Sequence, residues 1–451
     1  MEPADAGSVV GKRHSRDTEP DPRAMVQQQL RGVLALLRRH ERIVATVAIF
    51  AIVYCVLAWV QNGRPTNLNY FVPLASQFLH GQLGLTEGPK WLNELVPRNG
   101  LFYVVYPPIP AIVAIPFVFV FGPDVEQGRI SILFGALNMV IAWFVISNLG
   151  VKKWIAYLMT FVFAFGTITW YSAEAGSSWH IAHVFSIFFM LLAILGCQKN
   201  WSPWLIGLFF SGAVMARLPL ILAAPFFLCY FAARAIQVTN KEPELTFGSI
   251  RSPEKRICFR SFPWIEFLAY ALPFLLVVGF TVFLYMLYNM ARFGSPTETG
   301  YTLIPGLMQE NEYKNGFFSV VSIPRKLYAL LLTVPVEKDT WPFLQPRNLG
   351  GLSIFLTTPL FLWAMRARGL SWFLVGAWLS TFLCLIPILL HADPGGAQFG
   401  FRYAQDLYPF LLILMVRGLK DEITFETWVA IVIGFAVNIW GMGCTYYQWF
   451  A

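Results

Sequence analysis

Apolar runs of about 20 residues recur along the 451-residue chain, and a helix of this length spans the hydrocarbon core of a bilayer. Hydrophobic residues make up 57% of the sequence and charged residues only 13%, whereas a soluble domain has roughly 25% charged residues. Such a chain has too few charges to cover a water-facing surface. The sequence therefore predicts an all-α polytopic membrane protein and excludes soluble, disordered and disulfide-scaffold classes.

The apolar runs predict about 11 transmembrane helices, with a long loop after the first. The run at 203–232 is interrupted at Arg217 and is expected to form two short helices. The stretch 106–122 contains Pro107, Pro108, Pro110 and Pro116, and is expected to enter the membrane or lie along it without crossing. The remaining spans are predicted at 43–61, 129–147, 155–170, 181–197, 264–288, 349–365, 370–390, 407–417 and 427–443.

The formal net charge of +8 is best explained by topology. If 106–122 does not cross, most Lys and Arg residues lie on the side of the N-terminus, which favours a cytoplasmic N-terminus. The basic tail would then contact anionic membrane lipids, and no nucleic-acid partner is expected. The predicted organisation is a cytoplasmic tail 1–42, a membrane domain 43–443 and an exoplasmic tail 444–451, with exoplasmic loops 62–128, 171–180, 289–348 and 391–406 and a cytoplasmic segment 233–261.

Several short motifs follow one another in a recognisable order: 69–83, 103–111, Arg217-Leu-Pro219, 291–301 and 398–403. This order resembles the GT-C superfamily of integral membrane glycosyltransferases. The nearer likeness is to the bacterial branch related to protein O-mannosyltransferases and aminoarabinose lipid A transferases, similar to glycosyltransferase family 39.

The resemblance implies transfer of a sugar from a polyprenyl-phosphate donor to a lipid, glycan or protein acceptor on the exoplasmic face. It also implies an integral protein of a bacterial inner or plasma membrane, with a first-loop carboxylate that acts as a base or metal partner. No Asp or Glu lies between Gln61 and Gly81, so the acids before the proline-rich stretch are Glu87 and Glu94. Glu94 is the preferred base because its apolar neighbours would raise its pKa. The alternative is that both are ordinary surface acids.

A second group of candidates lies in the short segment 171–180 and the helix that follows it. The resemblance implies that an acid in this link, Glu174, helps to bind a metal or the acceptor, and Glu174 is the alternative to Glu94 as the catalytic acid that deprotonates or orients the acceptor. His180 and His183 lie three residues apart on one helical face, and with Glu174 they form a candidate site for a divalent metal ion. The alternatives are a solvated loop acid and hydrogen bonds between helices. His180 is also a candidate for binding the donor, and no other cofactor is indicated.

Three arginines are candidates for binding the donor phosphate: Arg402, Arg217 and Arg292. A guanidinium can bind phosphate through two parallel hydrogen bonds. Asp406 could instead pair with Arg402 on one helix face. Arg217 interrupts an apolar run and requires a polar partner, and Arg292 could serve only as an anchor at the membrane interface.

A second class of function remains open, namely a non-catalytic transporter or lipid-handling protein on the same scaffold. A transferase would have its cavity beside the first loop, whereas a transporter would give access from both sides of the membrane.

Overall fold

The structure is a computed structural model that describes residues 40–242, 246–250, 262–339, 343–347, 350–396 and 398–444. The chain divides into two compact units, Met1–Ala48 and Ile49–Ala451. Within the first unit, residues 41–48 begin the first helix. The rest of the predicted tail 1–42, most of the segment 243–261 and the tail after Cys444 lie outside the described residues.

Among the described residues, seven helices are long and apolar enough to cross a membrane, and the chain is a polytopic helical membrane protein. Two further helices, α5 and α6, meet at a bend of 49° and would make an eighth span as a pair. The bent pair is α5 (Lys153–Phe165) and α6 (Thr169–Ala175). Six of the seven spans are single helices: α1 (Glu41–Gln61), α4 (Gln127–Asn148), α7 (Ser178–Gln198), α10 (Trp264–Phe293), α13 (Trp372–Leu390) and α15 (Phe425–Met442). The seventh is formed by a 3-10 helix (Leu218–Ala223) that continues into α9 (Ala224–Thr239).

Three shorter apolar helices accompany these spans: α3 (Ile109–Phe121), α8 (Pro203–Ala216) and α14 (Tyr408–Leu419). The predicted count of 11 spans is not confirmed, because length and composition identify only seven or eight. Helix α3 has 13 residues, which corresponds to about 20 Å against a hydrocarbon core of about 30 Å. That the segment 106–122 does not cross stays a prediction.

Burial separates the central helices from the peripheral ones. In α7, 83% of the most apolar window is buried inside the protein, whereas the corresponding share in α10 is 17%. A helix that is apolar all round is suited to a protein core or to lipid. Helix α7 therefore lies in the core, and α10 presents most of its apolar surface outward.

The chain breaks at Arg217, as predicted for the run 203–232. Helix α8 ends at Ala216, and Arg217 has an extended backbone with φ −145° and ψ 99°. Pro219 follows two residues later, and a proline inside an α-helix removes a backbone donor and clashes with the preceding turn. Because the backbone leaves the helix here, the Arg217 side chain projects at the junction of two short helices.

The predicted span 349–365 is wrong. The chain instead forms the four-residue α12 (Ile354–Thr357) and a 3-10 helix (Pro359–Arg366). Thr358 has φ −144° and ψ 73° because the residue before a proline is sterically excluded from the α-helical region. An apolar run was thus read as one helix although Pro359 divides it.

The predicted loops contain regular structure. The loop 62–128 holds α2 (Phe71–Leu79), the antiparallel hairpin of β1 (Leu95–Arg98) and β2 (Leu101–Val104), and α3. The region 289–348 holds the end of α10, several short 3-10 turns, α11 (Ile323–Leu331) and the paired strands β3 (Val336–Glu337) and β4 (Leu344–Gln345).

The predicted loop 171–180 is wrong, because only two residues separate α6 from α7. Gly176 makes this turn with φ +55°, and a Cβ placed there would lie 2.7 Å from the Cα of Gly128. Glycine is required for both reasons. The side chain of Gln127 accepts from the amide of Phe71 at 3.1 Å and donates to the carbonyl of Gly176 at 2.6 Å, so it ties the first loop to this turn.

Candidate active site

Glu94 lies immediately before β1 and is held by three aromatic side chains from separate parts of the chain. Its Oε2 accepts hydrogen bonds from Trp179 Nε1 at 2.7 Å and from the Tyr106 hydroxyl. Its backbone amide donates to the Tyr70 hydroxyl at 3.0 Å. The carboxylate is therefore oriented by fixed donors at the start of α7 and at the end of the hairpin.

The environment of Glu94 places its protonation near neutral pH. Burial raises the pKa of Glu94 to about 7, although the hydrogen bond from Trp179 and the charge of Arg402 act in the opposite direction. A group with a pKa near the working pH is suited to general acid–base catalysis. The preference for Glu94 over other first-loop acids therefore has a physical basis in the structure.

Arg402 lies close to this acid, at the start of a 3-10 helix (Arg402–Leu407). Its guanidinium carbon is 4.9 Å from the centre of the Trp179 ring, and the Nε1 of that same ring donates to Glu94. Nη1 donates to the carbonyl of Gly396 at 2.7 Å, and Nη2 lies 3.9 Å from Asp393 Oδ2. The structure thus brings together two residues that were predicted separately.

Asp406 does not pair with Arg402 as the alternative interpretation expected. It receives two hydrogen bonds from Arg217, with Nε to Oδ1 at 3.1 Å and Nη2 to Oδ2 at 2.8 Å. His183 Nδ1 also lies 3.2 Å from Asp406 Oδ1. The polar partner required by Arg217 is therefore a buried carboxylate 189 residues further along the chain.

Tyr403 is the centre of a cluster of three cations. The sequence analysis named two of them, Arg217 and Arg402, but neither Lys326 nor Tyr403. The charged groups of Lys326, Arg402 and Arg217 lie 4.5, 5.0 and 5.8 Å from the centre of its ring. Its hydroxyl donates to Asp393 Oδ2 at 2.6 Å. We call Arg217, Lys326 and Arg402 the cation cluster, and Arg402 connects it to Glu94 through the Trp179 ring.

The loop 391–401 completes the site. Lys326 donates from Nζ to the backbone carbonyl of Asp393, and Arg325 donates to that of Ala392. Burial would raise the pKa of Asp393, but Arg402 and the Tyr403 hydroxyl hold it below its usual value. The side chain of Asp393 is 31% exposed and that of Arg217 is 21% exposed, so the site is accessible at these residues.

Two predicted residues lie elsewhere. Glu87 is exposed and takes no part in the cluster. Arg292 is 1% exposed, donates to the backbone carbonyl of Val104 and to Asn289 Oδ1 at 2.7 Å, and lies 3.8 Å from the ring centre of Tyr288. Arg292 therefore fixes the end of β2 against α10 and lies outside the cation cluster, and its role in binding phosphate stays a prediction.

The candidate metal site is not formed. Within the described parts of the chain, no group of three or more His, Cys, Asp or Glu side chains is placed to hold a metal ion. Glu174 is 4% exposed, and its carboxylate lies near the Trp170 indole without a hydrogen bond of good geometry. His180 Nδ1 instead bonds Ser177 Oγ at 2.8 Å, and His183 faces Asp406. No catalytic step through a metal follows from this arrangement.

An apolar cavity of about 470 Å³ is lined by residues that are close in sequence to Arg217 and to the hydrogen-bond partners of Glu94. Pro108 in its wall is two residues from Tyr106, which bonds Glu94, and Met215 is two residues from Arg217. Its lining joins the first loop to α3, α8 and α10. The other lining residues are Phe78, Gly81, Gln82, Leu83, Ile109, Ile112, Thr281, Leu284, Tyr285 and Tyr288.

The fold and the site together define a polytopic helical membrane protein with a half-buried acid and a cation cluster near an apolar cavity. The chain is similar to a crystal structure of ArnT from Cupriavidus metallidurans bound to undecaprenyl phosphate. The sequence identity is 14% and the TM-score is 0.47, and the match covers 88% of this chain and 63% of that chain. No family model and no curated protein matches the sequence.

Proposed function

We propose that this protein is a membrane glycosyltransferase that moves a sugar from a polyprenyl-phosphate donor to an exoplasmic acceptor. One observation carries the proposal: Arg217, Lys326 and Arg402 surround one tyrosine ring, and Arg402 contacts the tryptophan that donates to Glu94. Arg402 lies 3.9 Å from its nearest carboxylate and Lys326 donates to a backbone carbonyl, so both are suited to forming a charge-assisted hydrogen bond to an added anion. The neighbouring apolar cavity provides a place for the first isoprene units of a lipid tail.

The chemistry requires both parts of this site. The acceptor oxygen forms a bond to the anomeric carbon of the sugar, and the bond from that carbon to the phosphate oxygen breaks. The electron pair goes to the phosphate, which changes from a diester with one negative charge to a monoester with two. The proton of the acceptor hydroxyl moves to Glu94, so charge and atoms balance.

Each residue then has a defined task. Glu94, positioned by Trp179 and Tyr106, accepts the proton at a pKa of about 7. Arg402 stabilises the charge that develops on the phosphate. Preorganised donors in a site shielded from water supply a large part of the rate enhancement in many enzymes. Arg217 contributes its charge through a geometry fixed by Asp406.

A reconstituted assay tests the proposal. The purified chain in nanodiscs is given polyprenyl-phosphate carrying a radiolabelled sugar, together with envelope lipids, glycans and peptides as acceptors. We expect transfer by the wild type, strong loss with Glu94→Gln and no loss with the matched control Glu87→Gln. Glu87 is an exposed acid of the same loop. Wild-type activity in the Glu94→Gln variant would refute the assignment of the base.

The same experiment separates the transferase from the non-catalytic alternative. A lipid-handling protein would bind the lipid phosphate in the same cluster but would transfer no sugar to any acceptor. A transporter would move the labelled donor between leaflets of a vesicle. Binding without transfer, under conditions in which the protein is folded, would favour the alternative class.

The exoplasmic orientation has its own test. The hairpin residue Asn99 is exposed at the turn between β1 and β2, and Lys153 is exposed at the start of α5. In a cysteine-free background, we expect a membrane-impermeant maleimide added to cells to label Asn99→Cys and to leave Lys153→Cys unlabelled. The reverse pattern would place the site on the cytoplasmic side.

A further inference from the structure

Lys326 is a buried cation with an unusual set of partners. The residue is 0% exposed, and its ammonium donates to the backbone carbonyl of Asp393. It also lies over the rings of Tyr403 at 4.5 Å and Phe401 at 5.6 Å. In the described part of the chain no ion pair joins Lys326 to a carboxylate. The two arginines of the cation cluster differ, because Arg217 pairs with Asp406 at 2.8 Å and Arg402 lies 3.9 Å from Asp393.

The position of Lys326 on α11 explains why it is buried. Residues 326, 329 and 330 face the protein, whereas Leu327, Tyr328 and Leu331 are exposed. A lysine on the packed face of a helix loses hydration, which destabilises its charged form unless a partner compensates. A backbone carbonyl and an aromatic ring are weaker partners than a carboxylate. The site therefore holds an ammonium group that is stabilised incompletely.

Burial lowers the pKa of Lys326 to about 7, and Arg325 and Arg402 act in the same direction while Asp393 opposes them. At neutral pH the amine is thus close to half protonated. An added negative charge nearby would favour the ammonium form. The titratable and charged groups that face Lys326 are Asp393 and His391 in the loop, Tyr403 and Arg402 in the 3-10 helix, and Arg325 on its own helix.

We infer that Lys326 takes up a proton when the phosphate monoester occupies the site, and that it thereby binds the leaving group more tightly than the donor diester. This inference rests on the proposed function and adds that the site prefers a phosphate group with two negative charges to one with a single charge. The donor carries one negative charge and the departing lipid phosphate carries two. A lysine that gains its charge together with the phosphate stabilises the product side of the reaction and the transition state that leads to it.

Calorimetric titrations measure this proton directly. Farnesyl phosphate and its methyl diester are titrated into the full chain in nanodiscs, between pH 6 and 8, in two buffers that differ in ionisation enthalpy. Because Glu94 titrates in the same range, all variants are made in the Glu94→Gln background. We expect the monoester to bind more tightly than the diester and to take up protons, with its affinity decreasing as the pH rises above 7.

Three substitutions separate a response to charge from a structural role. Lys326→Met should weaken monoester binding by about tenfold to a hundredfold, the loss expected for one charge-assisted hydrogen bond, with diester affinity within about threefold. Lys326→Arg should keep the affinity but abolish its decrease above pH 7, because arginine stays protonated. The second ionisation of the monoester itself, with a pKa of about 6, affects binding mainly at lower pH. Lys314→Met, a change at an exposed lysine, should match its parent.

The outcomes distinguish this inference from the proposed function. Equal losses for both ligands in Lys326→Met, with proton uptake retained, would show that Lys326 only fixes the loop 391–401 and would overturn the inference alone. A wild type that binds neither ligand would overturn the proposed function as well. If Lys326→Met does not fold, a decrease in monoester affinity above pH 7 that persists in Lys326→Arg still refutes the inference.

Discussion

Two acids near the two-residue turn at Gly176 have opposite environments. Glu94 is partly exposed, accepts a hydrogen bond from Trp179 at 2.7 Å and lies near Arg402. Glu174 lies two residues before Gly176, is 4% exposed and has no hydrogen bond of good geometry, although the Trp170 indole lies nearby. Burial alone therefore does not make an acid catalytic. A catalytic acid also needs hydrogen-bond donors that orient its carboxylate, and cations that stabilise the negative charge formed in the reaction.

The largest expected effect is the difference between the two acids in transfer rate. Glu94→Gln should lower kcat by about 10²- to 10⁴-fold, the usual contribution of a general base. Glu174→Gln should change kcat by less than about tenfold, because no described charged group completes a reaction centre around it. Radiolabelled transfer in nanodiscs measures both variants side by side. Equal losses would remove the distinction.

The pH dependence sharpens the same comparison. Glu94 must be deprotonated to accept a proton, so kcat/KM should rise about tenfold per pH unit up to pH 7 and then level off. Lys326 must be protonated to stabilise phosphate, so activity should fall as the pH rises above about 7. A bell-shaped profile centred near pH 7 is expected. Lys326→Arg should remove the alkaline limb, and a flat wild-type profile would contradict both assignments.

Arg402 and Arg292 form a second pair for comparison. Arg402→Met should lower kcat/KM by about tenfold to a hundredfold, because one charge-assisted contact to phosphate is lost. Arg292→Met should instead lower the free energy of unfolding by about 1–3 kcal/mol, since it leaves the Val104 carbonyl without its donor. Steady-state kinetics and chemical unfolding monitored by circular dichroism measure the two effects. A stable but inactive Arg292→Met variant would return Arg292 to the site.

A smaller effect is expected from replacing the buried acid that lacks hydrogen bonds. Glu174→Met should stabilise the protein by about 1–2 kcal/mol, because a buried polar group without a well-formed hydrogen bond is replaced by an apolar side chain of similar length. Thermal unfolding in detergent should show a higher Tm. A clear decrease in Tm would mean that the carboxylate has a stabilising contact, and would weaken the contrast with Glu94.

The sequence predicted the helices better than the site. Apolar runs located α4 and α7 to within a few residues, because a transmembrane helix is specified by its local composition. The break at Arg217 was also predicted, since a charged residue and a proline interrupt the run. The span 349–365 failed because hydropathy does not register the backbone restriction at Thr358.

Within the site, local signals identified Glu94 and Arg402 but not their surroundings. Lys326 contacts Asp393, 67 residues away, and Arg217 contacts Asp406, 189 residues away. Pairings over such distances depend on how the helices pack, which no local pattern records. A lysine in a long polar region also looks like a solvated residue until its burial is known.

Helix α10 has a practical consequence for experiments in different lipids. Its 30 residues correspond to about 45 Å, longer than a typical hydrocarbon core of about 30 Å. A helix with such a mismatch adjusts its inclination to the thickness of the surrounding bilayer. Arg292 at the end of α10 holds the last residue of β2. A change in the length of the lipid acyl chains therefore affects the position of the hairpin next to Glu94. Rates measured in short-chain and long-chain phospholipids are therefore comparable only after this thickness effect has been calibrated.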